Sequence, residues 1–214
     1  MILVQLKFDT AEKLAMEETY PVDIVIIDLE RQNIIQIDLI PLCICKHLMY
    51  LYLSYNSLTS LDLAPLAQCQ KLRELKLYSN NIAEIDLSPL ENCNHLEWLN
   101  LGFNNLKTLD LTPLTGCKSL RYLNVTGNNI QAVDASPIID KRMEFWIDVQ
   151  KPTVTLPFKT QLTDRIIRLD RVNDDELSWH NWNYTIIPIT QRIASGNTSK
   201  APRTRHSRRS SPLP

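Results

Sequence analysis

The 214-residue chain has no apolar run near the ~18 residues a membrane-spanning helix needs, so no stretch is a candidate for a span. A phosphate-binding glycine loop, a paired-carboxylate motif, Cys-x-x-Cys and His-x-x-Cys are all missing, and no serine or cysteine has a recognisable base beside it. The four histidines fall at His47, His95, His180 and His206, none beside a metal-ligand pattern. The expectation is a chain that is not an enzyme, with no metal and no cofactor.

Net charge is also nearly absent, at −1, but it is unevenly spread. Residues 194–214 hold five of the 23 Lys and Arg (Lys200, Arg203, Arg205, Arg208, Arg209) and none of the 24 Asp and Glu. The rest of the chain is therefore at −6. The tail has almost nothing apolar and cannot bury enough surface to offset the entropy of ordering, so it reads as a disordered basic segment. Without stacking aromatics it is a poor nucleic-acid signature, and weak tail-mediated nucleic-acid binding stays a minor alternative. The opening MILVQLKFD is broken at Gln5, Lys7 and Asp9, too soon for a secretory signal. The expected location is the cytoplasm, with the nucleus open because of the tail.

What the sequence does have is a repeat of 24 residues, opening at Ile24, Leu48, Leu72, Leu96 and Leu120 without insertion or deletion, with a partial sixth unit at 144. Each unit reads close to L-x-x-L-x-L-x-x-N-x-L. Alternation such as Leu99-x-Leu101 is the pattern of a strand with one buried face. Asn56, Asn80, Asn104 and Asn128 stand where the chain leaves that strand, and a buried amide there can serve freed backbone groups in two coils. Asp38, Asp62, Asp86, Asp110 and Asp134 form a second column, read as accepting from the backbone N–H two residues on; a calcium ladder is the rival. Ser or Thr before Pro, as at Ser88-Pro89, reads as the start of a short helix. Cys45, Cys69, Cys93 and Cys117 form a third column, read as reduced core packing.

These units resemble the leucine-rich repeat family. The resemblance implies an α/β solenoid, right-handed and curved, with a parallel sheet on the concave face, short helices or 3-10 turns on the convex face, and a binding role. The sequence divides into an N-terminal cap at 1–23, the repeats at 24–150, a C-terminal cap at 151–193 and the tail. In the first segment, Ile2, Val4, Leu6 and Phe8 suggest a strand, and Asp9-Thr10-Ala11-Glu12 suggests a helix through about Glu18. Phe145 to Val149 returns the strand signal, placing Ile147 and Val149 in the two buried columns. Pro152 then stands in the place of the turn amide, so a sixth coil is expected to begin and not finish. Trp179, Trp182 and Tyr184 read as cap packing, with a docking element as the rival.

The outward strand positions carry the functional reading. They hold Tyr50, Tyr52, Tyr78, Trp98, Tyr122 and Trp146, six of fifteen aromatics, with Tyr55 and Phe103 at the rim. Rows of large exposed rings mark interaction surfaces. Asp28, Glu74, Lys76 and Asp148 would orient a partner by charge, Asn100 shares the face, and Gly102 would leave a notch. The alternative is that the rings only pack on one another across strands. The expected partner is another protein, with no membrane.

Overall fold

The computed structural model describes residues 2–138, 143–148, 153–155 and 166–170, all within one compact unit. Equivalent leucines lie over one another as translational symmetry requires. Ile27 faces Leu51, Leu51 faces Leu75, Leu75 faces Leu99 and Leu99 faces Leu123, all with 0% exposure. Each buried aliphatic side chain contributes roughly 1.5–3 kcal/mol. The file holds only while neighbours are present, as in any solenoid.

Strands β3 (Ile26–Asp28), β5 (Tyr50–Tyr52), β6 (Glu74–Lys76), β7 (Trp98–Asn100), β8 (Tyr122–Asn124), β10 (Glu144–Asp148) and β12 (Ile166–Asp170) form one parallel sheet. On the return side the chain makes 3-10 turns at Ile40–Ile44, Ala64–Gln68, Ser88–Leu90, Thr112–Thr115 and Ser136–Ile138. Strands on one side and turns on the other make a right-handed coil, with the sheet on the concave face.

The three repeated polar columns close each coil onto the next. Asn80 donates to the carbonyls of Leu53 (3.0 Å) and Leu77 (3.1 Å) and accepts from the Leu58 N–H (3.1 Å). Asn56, Asn104 and Asn128 do the same one coil earlier, one later and two later. Each Asp accepts from the backbone N–H two residues on, at 2.8–2.9 Å, which is the expected bond. The Ser/Thr-Pro reading needs correction. The cap positions of the Ser88–Leu90 and Thr112–Thr115 turns are Leu87 and Leu111, which have no side-chain acceptor; Ser88 and Thr112 already lie inside the turn, and they and Ser136 turn their hydroxyls to the Asp two residues before. The buried thiols form no disulfide; Cys69, Cys93 and Cys117 donate to the Leu42, Leu66 and Leu90 carbonyls of the previous coil. Burial, then the neighbouring thiols, pushes Cys69 and Cys93 up to about 12.

Two expectations at the ends are overturned. No helix follows Asp9; β1 (Leu3–Thr10) and β2 (Met16–Pro21) form a hairpin, and β1 also pairs with β4 (Ile34–Asp38). The Asp9 carboxylate accepts from the Ala15 N–H and the Thr10 hydroxyl from the Lys13 N–H, so the residues that resemble a helix cap tie a hairpin turn. Val4, Leu6 and Phe8 are buried, and Lys7, Gln5 and Glu17 face solvent.

The sixth strand is displaced by two residues: Phe145, not Ile147, stands opposite Leu123. Position 141, where the thiol column would continue, holds Lys141, which is costly to bury unpaired. A two-residue slip leaves each side chain on its own face. Nor does the array stop there. β11 (Thr153–Thr155) pairs with β9 (Ala132–Asp134) on the return side, and β12 pairs with β10, so a seventh strand follows the sixth. The Trp179, Trp182 and Tyr184 cluster and the basic tail lie outside the described residues.

Candidate functional site

Because side chains alternate along a strand, the residues flanking each buried leucine point outward together. They form three groups on the concave face. At the N-terminal end, the Tyr50 and Tyr52 rings lie 6.3 Å apart. The Tyr52 hydroxyl donates to Glu74 Oε2 at 2.9 Å, Lys76 Nζ lies 3.0 Å from the same oxygen, and that ammonium sits 4.1 Å from the Tyr52 ring centroid. Burial, then the Glu74 hydrogen bond and charge, hold the Tyr52 hydroxyl above its usual value.

The second group is a row along one rim. Arg31 lies 4.0 Å over Tyr55, Tyr55 meets Tyr78 at 5.4 Å, and Tyr78 meets Phe103 at 5.1 Å. Its origin is a backbone feature that sequence reasoning missed. Arg31, Tyr55, Ser79 and Phe103, each one residue before the turn amide position, have φ of 60°, 57°, 55° and 53°. For an L residue this left-handed geometry costs roughly 1–2 kcal/mol. The one cue is Gly127 in the same column, with φ 66°. A Cβ there would meet the Phe103 ring at 2.8 Å, so glycine also makes room for that ring.

The third group is a stack. Trp98 and Tyr122 lie face to face with centroids 3.6 Å apart and planes at 14°, and Trp146 follows at 6.1 Å. Tyr122 is 8% exposed, so it supports the stack more than it presents a surface, whereas Trp98 and Trp146 remain half-buried. The Trp98 Nε1 is buried without a hydrogen-bond partner. Trp146 does not stand in the Tyr122 column: the two-residue slip sets Glu144 opposite Tyr122 and Trp146 opposite Asn124, and Trp146 Nε1 donates to Glu144 Oε2 at 3.3 Å.

The remaining predicted residues have structural duties. Asp28 Oδ1 and Asn100 Oδ1 accept from the N–H groups of Glu30 and Gly102, both at 3.1 Å, turning the chain out of the strand. Asn124 does likewise for Thr126. Asp148 ends β10, away from the Asn124 position assigned to it. Gly102 leaves no notch: a Cβ there would lie 2.8 Å from the Asn124 amide, which fills the space. Among the described residues no group of His, Cys, Asp and Glu could hold a metal ion, and no helix is long and apolar enough to cross a membrane.

Comparison with known proteins agrees with this geometry. A family model described as leucine rich repeat matches residues 70–130, and one described as two copies of the repeat matches residues 46–92. No curated protein matches. Among solved structures, the chain is similar to the functional domain of InlJ from Listeria monocytogenes, described as including a cysteine ladder (20% identity, TM-score 0.53). It is also similar to the leucine-rich repeat domain of APL1B (19% identity, TM-score 0.53). These likenesses cover 78% and 60% of this chain, but only 40% and 38% of those chains. Residues 46–130 thus carry leucine-rich repeats, and the same stacked coil continues on either side of them.

Proposed function

We propose that this chain is a non-enzymatic recognition module that binds another protein on the concave face of its sheet. Leucine-rich repeat proteins generally mediate protein–protein interaction, which supports the class of function. The observation that carries the placement is the separation of two layers. The core beneath the sheet is complete, with its leucine file at 0% exposure, yet Tyr50, Tyr52, Tyr78, Trp98 and Trp146 stand half-exposed above it. Rigid rings of this kind dominate binding energy where they meet a partner. Tyr50 and Trp98 are the expected hot spots, with Asp28, Glu74 and Lys76 setting orientation and Tyr122 supporting Trp98 from behind.

The test is capture from native extract by the wild type and by Tyr50→Ala with Trp98→Ala. Loss of a specific band, with unchanged far-UV dichroism, supports the reading; unchanged capture refutes it. A second reading, a structural repeat module without a concave ligand, is favoured by the Trp98–Tyr122 stack, in which cross-strand packing alone accounts for two rings. It predicts unchanged capture.

A further inference from the structure

The outward positions of the sheet carry an excess of acid. Asp28, Glu30, Glu74 and Glu144 stand there with Lys76, and the register adds Asp148 and Asp170 against Arg168 on the last two strands. Lys76 is itself engaged, by the Tyr52 ring on one side and the Glu74 carboxylate on another. Tyr52 holds Glu74 in place through its hydroxyl, so the three groups make a seat for an ammonium ion with a π face and a charge-assisted hydrogen bond. Side-chain exposures of 31% for Lys76 and 28% for Glu74 mean that the seat is partly shielded from solvent screening. A second cation, Arg31, lies over Tyr55 at the rim. Both cations over rings on this face thus come from the protein itself.

Resting on the recognition reading above, we propose that the face binds a lysine- and arginine-rich segment of its partner, and that Lys76 stands in for a partner ammonium, which displaces it. An acidic segment or a nucleic-acid backbone would be repelled by the four carboxylates. An apolar segment would strip water from Asp28 and Glu74 without replacing it. A basic segment meets both needs, and Tyr50 and Trp98 offer further ring faces beside the seat.

The experiment uses the full chain and a labelled ten-residue peptide of alternating lysine and serine, followed by fluorescence anisotropy. Glutamate-for-lysine peptide and single-stranded oligonucleotide serve as controls. Glu74→Gln with Asp28→Asn keeps the acceptor oxygens that hold Tyr52 and Glu30 while removing two charges. Binding of the lysine peptide should weaken as salt rises and fall about tenfold or more in that variant. Lys76→Met, which vacates the seat, should tighten it about three- to tenfold.

Lysine-peptide binding no tighter in Lys76→Met than in the wild type, or equal binding of either control, overturns the proposal. The two readings fail separately. If partner capture is lost in the Tyr50 and Trp98 variant but untouched by salt and by the Glu74 and Asp28 changes, the face is the site and the cationic partner is wrong. If capture survives the Tyr50 and Trp98 changes, the face itself is wrong.

Discussion

Trp98 and Tyr122 stack at 3.6 Å, yet they differ in what they expose: the tyrosine is covered and the tryptophan is not. One ring supports and the other presents, so truncating them should have different effects.

Tyr122→Ala should lower stability by roughly 2–4 kcal/mol in urea unfolding, because it empties a packed position. Tyr50→Ala, half-exposed at the open end of the face, should stay within about 1 kcal/mol of the wild type. A double-mutant cycle across Trp98 and Tyr122 should return a coupling of about 1 kcal/mol; a coupling of zero would show that the stack contributes nothing beyond area.

The turn amides bear on stability most directly. Asn80→Ala leaves the Leu58 N–H without its partner and takes one of two amide donors from each of the Leu53 and Leu77 carbonyls, which keep Asn56 and Asn104. A loss of roughly 2–4 kcal/mol is expected. Asn80→Asp should be nearly as harmful, since a carboxylate cannot donate to those carbonyls. Denaturant midpoints close to the wild type for both would remove the amide from this role.

Backbone strain gives a change in the opposite direction. Ser79 holds a left-handed φ of 55° with a side chain that makes no hydrogen bond among the described residues. Ser79→Gly should raise stability by roughly 0.5–1 kcal/mol, the relief of strain being partly offset by the extra freedom of the unfolded chain. Ser79→Val should lower it. A thermal melt ordered valine, serine, glycine from lowest to highest is the expected result.

Acid should weaken the fold through the aspartate column. Asp86, Asp110 and Asp134 are held below the ordinary value of 3.8, first by the hydroxyls of Ser88, Thr112 and Ser136 and then by the backbone N–H of the same residues. A depressed folded value means that the contribution is present above 3.8 and is lost as pH falls through the lower folded values. Urea midpoints followed below pH 4 should therefore fall, and replacing the three hydroxyl residues with Ala should make the fall shallower.

Thiol chemistry should separate Cys43 from the column. Cys43 is half-buried, whereas the other four are buried and bonded or packed in the coil. With Cys69 and Cys93 pushed up to about 12, almost no thiolate is available at neutral pH. A thiol reagent should modify one of the five cysteines in the native protein and all five in urea.

What could be read from the sequence is what recurs. The leucine file, the turn amides and the aspartate bonds each repeat at least four times, so a single physical explanation is tested several times over. The left-handed column was hidden because Arg31, Tyr55, Ser79 and Phe103 are not residues that favour positive φ; only Gly127 hints at the backbone they share. The N-terminal hairpin was misread because Asp9 and Thr10 accept from nearby N–H groups in a hairpin turn much as they would at a helix start. The slip at Phe145 was not legible either, since Phe145, Ile147 and Val149 satisfy the same alternation in both registers. Nor can alternation distinguish Tyr50 from Tyr122, which share a column and differ only in what lies beside them.

Asn80 joins Leu53 to Leu77 as Asn104 joins Leu77 to Leu101, and the four junctions from the first coil to the fifth are all made this way. Identical junctions make the units interchangeable links. A lineage can add or drop 24 residues without inventing a new joint, which frees the length of the surface to evolve separately from the chemistry displayed on it.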